Sequence, residues 1–264
     1  MPIRCKHPLK PLDRESSGRL SYEVYADVLA IREELGRFFD EKHYKRSLAI
    51  KRNDVALEVP VEVTHKNFSK TYFLDVLLAE GSILEFKAAE RIAPTHRAQL
   101  LHYLMLTELP RGMLTNIRPE RVAREYVNNV MTLPERREFQ IRLVSESAPS
   151  GETLAHLLHD LLQDWGTCLE LALYEEALTC LLGGEAKIVR SAKVRFEDHD
   201  IGSQVMRFAD PETAFKLTAL ESTAKQASFE WHAQKLVNHL DIRSLLWVNL
   251  ARREITIRAI HPQT

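Results

Sequence analysis

The 264-residue chain predicts an α/β protein whose second half is an altered copy of its first. Three observations carry that expectation. Runs of β-branched, aromatic and aliphatic residues at Thr71–Leu78 and Ile83–Ala88 flank a Glu80-Gly81-Ser82 turn, the pattern of a hairpin. Leu100, Tyr103, Leu104 and Thr107 form a helical stripe behind Pro94 and Thr95, a pair suited to a helix start. Finally, landmark residues of the first half recur in order in the second: Gly36 to Gly166 is 130 residues, Gln99 to Gln234 is 135 and Asn116 to Asn249 is 133.

The hairpin carries the chemistry. Side chains on a strand alternate faces, so Glu85 and Lys87 point one way while Leu84 and Phe86 point the other. Folding back at the turn brings Asp75 beside Glu85. Two carboxylates and an ammonium then meet at the rim of an apolar sheet. Such a cluster persists only if its members pair with one another or hold a metal ion, because isolated buried charges are costly. On the following helix, Gln99 and Tyr103 are four apart and share a face. Ahead of the hairpin, a Tyr25–Leu35 segment, Gly36, and Glu41 with Tyr44 read as a helix, a turn and the opening of a second helix.

Asp75, Glu85-Phe86-Lys87 and Gln99 with Tyr103, in this order, resemble the PD-(D/E)XK nuclease superfamily, in particular its RecB-like branch. Leu74 stands where a proline commonly precedes the aspartate. Gly36, Glu41 and Tyr44 are similar to the signature of the GxxExxY family within that superfamily, with Phe38 in place of a second glycine. His96–Gln99 and Gly112–Asn116 resemble its later segments, so the likeness spans roughly residues 20–130. The resemblance implies a central mixed β-sheet flanked by helices. It implies that Asp75 and Glu85 ligate Mg²⁺ or Mn²⁺, helped by the Phe86 carbonyl, with Glu41 acting through water or on a second ion. Lys87 would position a water or stabilise the transition state, and His96, Arg97, Gln99 and Tyr103 would hold the substrate. The implied activity is metal-dependent cleavage of phosphodiester bonds in DNA; the alternative is a non-catalytic nucleic-acid or protein-binding module on the same fold.

Each residue also has a purely structural role open to it. Glu85 and Lys87 can form a surface ion pair, Gln99 and Tyr103 can satisfy buried backbone, Glu41 can be a helix-surface carboxylate, and His96 a polar residue at a helix start. His156, His159 and Asp160 have metal-ligand spacing without a further ligand cluster, and read as a solvated helix face.

A net charge of −1, with 45% hydrophobic and 28% charged residues, describes an ordinary globular chain. Nucleic-acid binding would then rest on local clusters such as Lys42, Lys45, Arg46, Lys51 and Arg52, or Arg91 and Arg97. Cys5, Cys168 and Cys180 form no CxxC pair, which favours a reducing compartment and no structural zinc. The N-terminus has no apolar signal core and no run reaches membrane-spanning length, so a cytoplasmic, soluble protein is expected.

In the second half, Asp164–Leu178 matches Glu34–Leu48, with Gly166 for Gly36, Tyr174 for Tyr44 and Leu171 for Glu41. Lys216 falls opposite Glu85, Thr218 opposite Lys87, and Met206–Phe208 opposite Asp75. An ammonium has no lone pair to give a cation, so this copy should keep the fold and lose the metal. The expected organisation is an extension over 1–20, a domain with the intact motif over 21–145, a linker over 146–152 and a degenerate domain over 153–264. The two domains are expected to pack about a pseudo-twofold axis, giving an intramolecular dimer that is monomeric overall.

Overall fold

A computed structural model describes residues 2–144, 149–197 and 199–263. It divides into two compact units, Met1–Thr64 with Ser69–Leu133, and His65–Phe68 with Pro134–Thr264.

The first unit holds β1 (Ile3–Cys5), α1 (Arg14–Leu35), α2 (Glu41–Lys51), β2 (Val55–His65), β3 (Phe68–Leu78), β4 (Ser82–Lys87), α3 (Pro94–Thr107), β5 (Arg111–Asn116) and β6 (Ala123–Asn128). Its six strands lie side by side in chain order. The β4–β5 pair is parallel, as a connection through α3 requires, while β3–β4 and β5–β6 are antiparallel. Leu20, Val24, Val28 and Ile31 of α1 and Tyr44 and Leu48 of α2 bury against Val76, Leu78, Leu84, Phe86, Met113 and Ile117 of the sheet. Those six α1 and α2 residues recur at helical spacing, which is why both helices lie down on the same sheet face.

The hairpin forms where the sequence predicts it. Val76 faces Leu84 and Leu78 faces Ser82, with Ala79 and Glu80 in left-handed backbone at φ 44° and 59°. Gly81 follows because nothing larger fits: a Cβ there would lie 2.3 Å from the Lys10 carbonyl oxygen. The first twenty residues, expected as an extension, contribute β1 and the start of α1. A strand of three residues carries too little pattern to be read from sequence.

The second unit contains β7 (Gln140–Leu143), α5 (Pro149–Trp165), α6 (Leu171–Leu181), α7 (Glu185–Ile188), β8 (Val189–Phe196), β9 (His199–Phe208), β10 (Thr213–Thr218), α8 (Thr223–Asn238), β11 (Ser244–Leu250) and β12 (Glu254–Ile260). A short helix, α4 (Leu133–Arg136), spans the division between the units. The strand order is β7-β12-β11-β10-β9-β8, with β10–β11 parallel through α8. Two helices, three successive strands, a crossover helix and two final strands thus occur in both units; the second adds α7, and its β7 pairs with β12 whereas β1 pairs with β2. Of the linker expected over 146–152, residues 146–148 lie outside the described residues, and Pro149–Glu152 already belong to α5. Thr153 sits inside that helix and donates its hydroxyl to the Pro149 carbonyl at 3.0 Å.

Candidate active site

The site builds up from the alternation of β4. Leu84 and Phe86 belong to the core beneath α1 and α2, so Glu85 and Lys87 face the other way, toward α3. Glu85 is 2% exposed. Lys87 Nζ donates to Glu85 Oε1 at 2.9 Å and to Gln99 Oε1 at 3.0 Å, and Gln99 Nε2 donates to the Tyr103 hydroxyl at 3.1 Å. Four residues that the sequence singles out therefore form one continuous chain of hydrogen bonds from sheet to helix.

Asp75 lies one step beyond the Val76–Leu84 pair, beside Glu85. Its Oδ2 accepts the Phe86 amide at 3.1 Å and its Oδ1 accepts Lys45 Nζ at 2.8 Å. Burial pushes the Glu85 carboxyl up to about 7, and the Asp75 charge adds to that push; Lys87 and Lys45 oppose it. Burial draws the Lys45 ammonium down, but hydrogen bonds and charge attraction from Asp75 and Glu58 outweigh this and hold it above the ordinary lysine range.

Glu58 is a residue that sequence reasoning missed, and Lys45, read there as one of a basic cluster for nucleic-acid binding, instead pairs with Asp75. Lys45 stands at i+4 from Glu41 on α2, a spacing that places both on one helix face and was available as a signal. It is buried, and its ammonium also pairs with Glu58 of β2. Glu58 has φ 49°, left-handed backbone inside a strand, the kind of local irregularity that re-aims a side chain. No sequence pattern announces it.

The other predicted residues take different positions. Glu41 Oε1 accepts the Ala88 amide at 2.6 Å, just past the end of β4. His96 Nδ1 accepts the Ala93 amide at 3.1 Å and so caps the start of α3. Arg97 forms a two-point pair with Glu125 at 2.6 and 2.9 Å. Much of the basic cluster on α2 is likewise answered within the unit: Lys42 by Asp40, Lys51 by Asp27, and Arg52 by Asp27 and Asp54.

Among the described residues no three His, Cys, Asp or Glu side chains converge as a metal cluster. The donor set that does fit a hard divalent cation is the Asp75–Glu85 pair. Glu85 Oε2 is buried and accepts no hydrogen bond among the described residues, leaving one carboxylate oxygen for which the protein supplies no partner. Mutual repulsion between the two acids would be relieved by a cation, and oxygen donors suit Mg²⁺ or Mn²⁺.

The surrounding frame repeats between the units. Tyr44 donates its hydroxyl to the Gly36 carbonyl at 2.6 Å, and Tyr174 does the same to Gly166 at 2.6 Å. Gly36 and Gly166 share left-handed backbone, φ 73° and 74°. Asn116 brackets Ala89 through its amide and carbonyl, as Asn249 brackets Leu220. Lys87 stands opposite Asn116 and Thr218 opposite Asn249, so the register puts Lys216 where Glu85 stands.

A family model for the PD-(D/E)XK nuclease superfamily matches residues 18–129. No curated protein and no solved structure matches the chain. Among the described residues no helix is long and apolar enough to cross a membrane.

Proposed function

Proceeding from residues 18–129 as a PD-(D/E)XK nuclease superfamily domain, we propose that the first unit cleaves phosphodiester bonds in DNA with the help of Mg²⁺ or Mn²⁺. The observation that carries this is the buried Glu85 Oε2 without a hydrogen-bond partner, beside Asp75 and on the strand that ends in Lys87. Asp75 and Glu85, with the Phe86 carbonyl, would hold the ion, and Glu41 would act on it through water. When bound, the ion supplies positive charge toward the scissile phosphate and an acidified water. The Lys87 Nζ, a hydrogen-bond donor, would point toward the nucleophile or the phosphate oxygens, where charge grows in the transition state. Gln99 and Tyr103 fix Lys87 from the side of α3, and His96 and Arg97 line the same helix start, from which they would meet the substrate backbone.

The GxxExxY signature fits the same picture. The Tyr44–Gly36 hydrogen bond fixes the turn that delivers Glu41 to the end of β4. We further propose that the chain is a tandem duplication whose second unit has lost the site. The common element order, the paired Tyr–Gly and Asn bonds and the register of Lys216 support this. A non-catalytic nucleic-acid-binding role is favoured by one observation, the Lys45 ammonium already seated on Asp75.

The two are separated by incubating labelled single-stranded DNA, duplex DNA and RNA with Mg²⁺, Mn²⁺ or EDTA, wild type beside Glu85→Ala and Gln99→Ala. A nuclease cuts only with the metal, loses cutting in Glu85→Ala, and slows about 10–100-fold in Gln99→Ala, whose side chain positions Lys87. Binding without cutting, indifferent to both changes, would support the binder.

A further inference from the structure

We infer that Lys45 is a built-in cation filling the position between Glu58 and Asp75, so that the site takes up one divalent ion per chain, on the Asp75–Glu85 side, and not two. This rests on the nuclease proposal for Asp75 and Glu85. Glu58 and Asp75 come from different strands, β2 and β3, yet each gives a carboxylate oxygen to the same ammonium. Two acids facing one point repel unless a positive charge stands between them. A divalent ion and an ammonium are alternative answers to that need.

Three features favour the ammonium here. Lys45 is 8% exposed on a helix whose neighbouring Tyr44 and Leu48 are buried, so its stem is held in place and is not a loose surface arm. A tethered charge is always present at its site, whereas a free ion must first displace it. Glu58 holds a left-handed backbone that non-glycine residues seldom adopt, and the side chain it re-aims is the one that meets Lys45. The second unit gives an independent contrast. Counting from the matched tyrosines, Glu175 occupies the place of Lys45 and pairs with Arg207 at 3.7 Å. The lysine is thus present where the acid pair is whole, and reversed in sign where Lys216 has replaced the glutamate.

The test is metal stoichiometry, read without activity. Full-length, chelator-treated protein is titrated with Mn²⁺ alone, following heat by calorimetry and free Mn²⁺ by electron paramagnetic resonance. Wild type is expected to bind one ion, and Lys45→Met two. Lys45→Met combined with Glu58→Gln should return to one, because the second position then has a single acid. If Lys45→Met does not fold, Lys45→Gln removes the charge with less disturbance and carries the same expectation. Two ions on wild type, or one ion on a folded Lys45 variant, overturns the inference and leaves the nuclease proposal standing. No ion on wild type removes both, since the Asp75–Glu85 pair itself then fails.

Discussion

Lys87 serves two ends of one chain of contacts, neutralising Glu85 on the sheet and anchoring on Gln99 of α3. Its removal would leave a nearly inaccessible carboxylate without its partner. Leaving a buried acceptor unsatisfied costs about 1–3 kcal/mol. In Lys87→Met, measured by urea unfolding in EDTA, we expect a loss of that size. Adding Glu85→Gln should recover most of it, because the double variant no longer buries a charge. A double variant as unstable as the single would mean that Lys87 contributes by packing its stem rather than by its charge. The same residue is also where stability and chemistry oppose one another. The environment that lifts Glu85 to about 7 is unfavourable to the ionised acid, and it is retained at a position where a cation would be welcome.

At the scale of elements, two ties decide how the helices meet the sheet. The hydroxyls of Tyr44 and Tyr174 each hold a glycine carbonyl at 2.6 Å, fixing the turns between α1 and α2 and between α5 and α6. Tyr44→Phe and Tyr174→Phe should each lower the unfolding free energy by about 1 kcal/mol, and unequal costs would argue against equivalent roles for the two turns. The second tie is Arg52, which meets Asp54 through two hydrogen bonds of 2.8 Å and Asp27 of α1 at 3.1 Å. Hydrogen bonds from Arg52 hold the Asp54 carboxyl below its ordinary value. The folded state therefore binds that proton less readily than the unfolded chain does. The pair's contribution is whole above the usual aspartate range near about 4 and fades as pH falls through the lowered folded value. Asp54→Asn should lose up to about 1 kcal/mol at neutral pH and show a shallower acid limb in thermal melts. The hairpin, α3 and the Gly36 turn were legible in the sequence because their signals are local: alternation, a helical stripe and a glycine. Glu58, and the place of Lys45 between two acids, were not, because a long cation on a helix reads as solvated or substrate-facing until the fold shows what faces it. The left-handed backbone at Glu58 leaves no trace in residue type.

For the whole molecule, the consequence is asymmetry: two units with a common run of five strands, and among the described residues one Asp75–Glu85 pair. In the second unit, Lys216 is exposed, Thr218 is committed to Asn249 and Trp247 through hydrogen bonds of 2.8 Å, and Met206 stands where Asp75 would be. An ammonium cannot ligate a cation and a thioether is a poor donor to Mg²⁺, so this unit cannot substitute for the first. Glu85→Ala alone should then bring cleavage to background, while Lys216→Ala leaves it unchanged. If the proposed cleavage holds, the same asymmetry sets the product. Under the proposed DNA cleavage at the Asp75–Glu85 site alone, a chain would cut one strand per encounter, so supercoiled plasmid should pass through nicked circles before linear molecules accumulate from a second, independent hit. Residual cutting in Glu85→Ala, or linear product rising together with nicked circles from the start, would instead require a second competent centre acting in the same encounter.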